Sequence, residues 1–337
     1  MGLLKTDHPI LTEKSKPRGP RLDSARIDLI NSRGIWNSRD LVFENHCAFC
    51  STTDAREVAM RSDGLSIYEC EDCGLAYVDP RPTQEALARY YNEGYFSGEK
   101  DFFRGKDYCA TRDESIADGL VTGYQEIVSN FVLREKKILD IGCASGSLLY
   151  SLKKHAPGEL VGIDVSDYPI SFGRERYNLD LRCTSLENAR LPIAHFDLIM
   201  LIDVLEHVEN LHGFLREMRR LLASGGSIFI LTPNFASYEF AGKRWHCLHQ
   251  DFEHLHYFSP ESLRKISARA GFRLLKYWTW GLPFKISSYP RIFRYGLHRL
   301  MHPGIAMKNA YYSRRYRRFF SRNEMAGLIL YAVLSAA

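Results

Sequence analysis

Four cysteines fall in two pairs, "CAFC" (Cys47, Cys50) and "CEDC" (Cys70, Cys73), in the order C-x2-C-x19-C-x2-C. Each pair fits one tight turn, and four thiolates close a tetrahedral zinc site. Such a site has no open position, so the zinc it predicts is structural. His46 is an alternative ligand, and two pairs argue against a redox CxxC. The remaining cysteines (Cys109, Cys143, Cys183, Cys247) are scattered, a usage that suits a reducing compartment.

A second centre opens on "ILDIGCASGSLL", Ile138 to Leu149, which reads as strand, glycine-bearing turn and helix start. The dinucleotide fingerprint wants glycines at 142, 144 and 147. The chain has Gly142 but Ala144 and Ser147, so a nicotinamide dinucleotide is disfavoured. A phosphate loop is excluded because no Gly-Lys-Ser/Thr follows the turn. Asp164 ends the next apolar run, "GIDVS", about 20 residues beyond the turn. A carboxylate there can accept both hydroxyls of an adenosine ribose.

These residues need a scaffold. From Lys137 onward, short apolar runs ("KILDIG", "ELVGIDV", "FDLIMLID", "GSIFILT") alternate with amphipathic segments ("LLYSLKKH", "YPISFGRERY", "LHGFLREMRRLLA"). The alternation predicts an α/β fold, a parallel sheet with helices on both faces. "SPESLRKISARAGF" predicts a helix capped by Ser259, begun by Pro260 and stopped by Gly271. Thr83 caps a further helix, and residues 113–134 read as helical. "FRLLKYWTW" is a strand candidate. "GLILYAVLSAA" reads as a last core strand, with a membrane anchor as the alternative.

In order, "VLREKKILDIGCASGSLL", "GIDVS", "FDLIMLIDVLEHV", "GGSIFILTPN" and "HLHYFSPESLRKISARAGF" resemble the motifs of class I S-adenosylmethionine-dependent methyltransferases. The nearest likeness is to the ubiquinone O-methyltransferase-like and sugar methyltransferase-like branch. The resemblance spans roughly Lys136 to Tyr277. It implies a Rossmann-like seven-stranded sheet with one antiparallel strand, beside the small N-terminal zinc-ribbon module. It implies that Asp140, Gly142, Ala144 and Gly146 shape the methionine end of the cofactor site. Asp164 would hold the ribose, with Val165 beside it, Leu186 within the adenine-flanking segment 185–187, and Asp203 facing the methionine part.

In the ubiquinone relatives, E-x-x-E-H can bind a divalent cation. Here the first acid is the shorter Asp203, and Glu206 and His207 read as a helix-start acid and a packed imidazole. "WHCLHQDFEHLHYF" carries His246, His249, His254 and His256, and the resemblance puts it on a substrate-facing loop. A hydroxyl acceptor must lose a proton, a task suited to a group titrating near neutrality. His254 and His256 are therefore the candidate catalytic bases, and structural hydrogen bonding is the alternative for each. Tyr95 is a candidate for a lid over the cofactor.

The chain thus divides into a leader (1–40), the zinc-ribbon module (41–82), a helical connector and lid (83–135) and the methyltransferase domain (136–337). The expected reaction is methylation of a hydroxyl on a sugar, a surface-glycan precursor or another small metabolite. An RNA methyltransferase and a non-catalytic scaffold are the alternatives. The net charge of +5 is local. Residues 285–322 hold ten Lys/Arg and no acid, leaving 35 basic against 40 acidic residues elsewhere. This basic insertion (285–323) suits an anionic membrane surface, RNA, or a plain solvated face. No apolar run reaches the ~20 residues that span a bilayer. The opening residues lack a signal peptide's apolar core, and a cytoplasmic protein, in peripheral contact with the membrane through that segment, is expected.

Overall fold

The computed structural model describes residues 24–92, 107–117, 119–281 and 328–337. The basic segment and Tyr95 lie outside the described residues. Helix α1 (Ser24–Arg33) buries Ile30. Strand β1 (Leu41–Val42) pairs with β5 (Arg81–Pro82), bracketing the cysteine module. Inside it, β2 (Ala55–Met60), β3 (Ser66–Cys70) and β4 (Ala76–Val78) form an antiparallel meander.

Three helices follow. Thr83 accepts the Ala86 N–H at the head of α2 (Gln84–Asn92). Residues 113–134 are not one helix: α3 (Tyr108–Ala117) and α4 (Tyr124–Asn130) are separated at Gly119 and Gly123, both with positive φ. Such backbone ends a right-handed helix.

The large sheet is then laid down by β6 (Lys137–Ile141), α5 (Ser147–Leu152), β7 (Glu159–Asp164), α6 (Asp167–Tyr177), β8 (Asp180–Cys183) and β9 (Phe196–Ile202). Helix α7 (Leu211–Leu221) leads into the long β10 (Leu222–Pro233). A short helix, α8 (Tyr238–Ala241), precedes the two-residue β11 (His256–Tyr257). Helix α9 (Pro260–Arg269) is capped by Ser259, whose Oγ accepts from Ser262 N–H. Strands β12 (Phe272–Trp280) and β13 (Ile329–Ala336) complete the chain.

The sheet has seven strands in the order β12-β13-β10-β9-β6-β7-β8. Its inner strands, β6, β9 and β10, are continuous apolar runs because helices cover both faces. β13 is its one antiparallel strand, inserted between β10 and β12. The C-terminal apolar run is therefore a core strand. No helix of the described residues is long and apolar enough to cross a membrane.

The cysteine module has no core of its own. Cys47, Phe49, Cys70, Cys73 and Leu75 belong to the same apolar cluster as Leu139, Phe214, Ile230 and Leu263. β11 also pairs with β4, so a strand that follows β10 in the chain completes the module's sheet.

Ala332 is fully buried, in register between Ile230 and Tyr277. Ala332→Asp should cost several kcal/mol, because a carboxylate there has no partner. The exposed Leu275 gives the control: Leu275→Asp should stay within about 0.5 kcal/mol. Urea unfolding midpoints compare the two.

Candidate active site

The four module cysteines converge. Their sulfurs all lie within 4.8 Å of one another, with Cys47–Cys73 at 3.6 Å and Cys50–Cys70 at 3.5 Å. Disulfides would need about 2.05 Å. Tetrahedral zinc with ~2.3 Å bonds needs sulfur edges near 3.8 Å. The two turns repeat one hydrogen-bond pattern. Cys47 N–H donates to Thr52 O and Ser51 N–H to Cys47 O; Cys70 N–H donates to Leu75 O and Gly74 N–H to Cys70 O. Ser51 and Gly74 occupy equivalent left-handed positions. Donor set and geometry fit one closed metal site.

The glycine turn joins β6 to α5 at the carboxyl end of the sheet. Gly142 has φ +74°, and a Cβ there would come within 2.4 Å of Val204 Cγ2. Gly146 has φ +75° and caps α5. Between them Ala144 also takes positive φ, 47°. An L-residue there costs roughly 1–2 kcal/mol. The compensating contact is visible: Ala144 N–H donates to Asp164 Oδ2 at 2.9 Å, while Ser166 N–H donates to Oδ1 at 2.8 Å. Asp164 therefore ties the turn to the end of β7.

Burial, with Asp164 nearby, pushes the Asp140 carboxyl well above the usual range. Val165 is exposed beside Asp164, while Leu186 is buried in the sheet core. Leu186 thus contributes packing under the 185–188 turn.

The third group lies beyond β9. Asp203 takes φ 53°, and burial, with Asp251 adding, raises its carboxyl to about 6 against the opposing charge of Arg112. Glu206 is fully buried. One of its oxygens accepts from Thr232 Oγ1 at 2.9 Å, and Oε1 has no hydrogen-bond partner among the described residues. His207 Nδ1 shares a 3.0 Å hydrogen bond with the Tyr91 hydroxyl. His254 packs edge-on against His207, with ring centroids 4.7 Å apart, and its Nδ1 has no hydrogen-bond partner among the described residues. Ligand atoms of Glu206, His207 and His254 lie within 4.8 Å of one another. Burial holds the His207 imidazole down to about 4 and His254 well below its ordinary value, so both are neutral at pH 7.

His254 and His256 differ in their neighbours, though the Nδ1 of each has no hydrogen-bond partner among the described residues. His256 sits in β11, paired with Tyr77 of the module, and its Nε2 donates to Val208 O at 2.9 Å. That bond ties β11 to the segment after Glu206. His249 bridges Ser62 and Lys243 O.

Several residues at this end carried no motif. Tyr91 reaches His207 from α2. Tyr108 and Arg112, on α3, stand near Asp164 and Asp203 respectively. Their only mark in the sequence is an aromatic–cation pair at i, i+4, the Arg112 guanidinium 4.9 Å from the Tyr108 ring centre.

Ala144→Gly should relieve the strained turn and raise stability by about 1 kcal/mol, since glycine enters this backbone region without penalty. Urea denaturation checks it: an unchanged or lower midpoint would mean the methyl contributes compensating packing.

Residues 118–277 match the family model described as "Methyltransferase domain". The chain is 30% identical over 114 residues to "Ubiquinone biosynthesis O-methyltransferase" of Coxiella burnetii, covering 32% of this chain and 48% of the relative. A protein of the same name from Azoarcus sp. is 32% identical, covering 32% of this chain and 50% of the relative. The chain spans about half the length of these relatives. Among solved structures, a SAM-dependent methyltransferase from Archaeoglobus fulgidus aligns at 20% identity and TM-score 0.44, over 74% of this chain and 99% of that one. The matched span holds the glycine turn, Asp164, Asp203 and the buried imidazoles, on a seven-stranded sheet with a single reversed strand. Residues 118–277 of this longer chain thus carry a methyltransferase domain.

Proposed function

We propose that the protein transfers a methyl group to a hydroxyl on a sugar, a surface-glycan precursor or another small metabolite, with His254 as general base. The observation that carries this reading is the buried, neutral imidazole of His254, whose Nδ1 lacks a partner beside Glu206 and His207. The printed names of the ubiquinone relatives support a hydroxyl acceptor.

S-adenosylmethionine supplies a methyl group already activated on a sulfonium. The protein's work is then alignment and proton removal. Asp164 would hold the ribose, and Gly142 and Gly146 keep the turn backbone bare. Asp203 would face the cationic end of the cofactor. His254 Nδ1 would take the acceptor's proton, with Glu206 and His207 beside the imidazolium so formed. The four cysteines would hold one zinc ion in a structural role.

Three outcomes test the proposal. Labelled methyl groups should pass to one member of a panel of nucleotide sugars, glycans and small phenols, and His254→Ala should lower the rate by roughly 10²–10⁴-fold. Undiminished transfer would remove His254 from the mechanism, and transfer to RNA alone would overturn the acceptor class.

Cofactor affinity should depend on pH through Asp203. Its carboxylate ionises near pH 6, so the attraction for a sulfonium is present above that value. As pH falls below 6 the charge is lost, and affinity should drop by up to about tenfold per unit. Calorimetry between pH 5 and 8 should give a slope in the wild type and none in Asp203→Asn. A second variant, Asp164→Ala, should weaken binding at every pH.

Metal analysis of the purified protein should find one zinc per chain. Cys70→Ser should lose the ion and destabilise the fold.

A further inference from the structure

Arg61 lies in the turn after β2, in the cysteine module, and is only 2% exposed. A guanidinium has five N–H donors, and all five are matched. Nε donates to Asp63 Oδ1 at 3.2 Å and Nη2 to Asp63 Oδ2 at 2.5 Å. Nη2 also donates to Phe252 O at 3.0 Å. Nη1 donates to His254 O at 2.9 Å and to Tyr257 Oη at 3.3 Å. Asp63 has no side-chain exposure and also accepts from Trp36 Nε1 at 2.8 Å. The pair is locked in the module, and its outward donors grip the backbone on either side of Glu253.

We propose that Arg61 is a positioning residue: it fixes the backbone of residues 252–254 from the cysteine module and so holds the His254 imidazole in place for the acceptor. This rests on the reading of His254 as the base. The rest of the segment is anchored at other points. Val78 N–H donates to Leu255 O, Leu255 N–H to Glu206 O, and Ser62 N–H to Leu248 O. Between Leu248 and Leu255, Arg61 supplies the grip on the carbonyls of Phe252 and His254. The Arg61 guanidinium also lies 5.6 Å from the centre of the Phe252 ring. A lysine has three donors on one point charge and cannot reproduce the fork.

A neutral His254 is a sensitive reporter of this clamp. Facing it are His207 and Glu206 from the turn after β9, Cys247, Asp251, His246 and Tyr257 from its own segment, and Arg61 from the module. Burial and the three neighbouring positive or ionisable nitrogen groups keep the imidazole neutral. Opening of the segment to water would restore its titration.

The test is Arg61→Lys in the full chain, with Arg269→Met as control. Arg269 also ties the module to the domain, through a two-bond pair with Asp72, but it does not touch the His254 segment. Amide exchange at residues 252–257 should accelerate roughly 10- to 100-fold in Arg61→Lys. Exchange across β3 and β6 should not change. The His254 ring signal, assigned by its loss in His254→Gln, should begin to titrate between pH 5 and 8. Affinity for S-adenosylmethionine alone should stay within about twofold, since Arg61 acts on the acceptor side. Arg269→Met should leave all three readouts unchanged.

Unchanged exchange at 252–257, or equal acceleration throughout the module, would overturn the proposal and make Arg61 an ordinary stabilising residue. Should Arg61→Lys fail to fold, the unsubstituted protein decides. Its Arg61 guanidinium protons should exchange slowly and show proximity to the Phe252 and His254 α-protons; fast exchange would overturn the clamp. Full methyl transfer by His254→Ala would sink the base reading while leaving these backbone readouts intact, so the two failures are distinguishable.

Discussion

A guanidinium with no access to water must find an acceptor for every N–H it carries, and Arg61 meets that constraint by joining two parts of the chain. An unmatched donor in such a place costs 1–3 kcal/mol or more. The turn after β2 and the segment before β11 therefore hold one relative position or the pair is left exposed. The β4–β11 pairing and the shared apolar cluster extend the same junction. The cysteine module is consequently a wall packed against the large sheet's domain, with its cysteines in the apolar cluster the two share.

The carboxyl end of the large sheet carries a cluster of buried acids. Asp140, Asp164, Asp203 and Glu206 all gather there, each with its carboxyl raised by burial. Hydrogen bonds meet two of these groups: Asp164 accepts from the Ala144 and Ser166 N–H groups, and Glu206 from the Thr232 hydroxyl. A buried carboxyl that stays neutral by itself ionises when a positive charge stands beside it, so such a cluster favours a cationic partner. A sulfonium with an ammonium group would have the matching sign, in keeping with the proposed cofactor.

Much of this was legible in the sequence, for identifiable reasons. The strands of the large sheet are continuous apolar runs, and the cap of α9 uses a residue pattern with one main structural meaning. The cysteine spacing reported a shared site because two tight turns must converge to use four thiolates. The rest depends on tertiary contact. β11 has two residues, too few for any period, and its partner is some 180 positions away. Arg61 and Tyr91 resemble ordinary polar residues until the packing of distant segments surrounds them. The break between α3 and α4 was readable in Gly119 and Gly123, but helical composition on both sides masked it. His254 and His256 were equivalent candidates by type, and each keeps an Nδ1 without a partner among the described residues; the fold separates them by surroundings, His254 beside Glu206 and His207, His256 bonded through Nε2 to Val208 O.

The placement of β13 has a consequence for the order of assembly. Among the described residues β12 joins the sheet only through β13, although it is made first. While residues 329–336 are still awaited, both β10 and β12 present an unpaired edge. The late strand then slots between two waiting neighbours and closes both edges at once. During synthesis these edges form the part of the molecule most exposed to pairing with another chain. The sheet acquires its final protection from aggregation when the last described strand arrives.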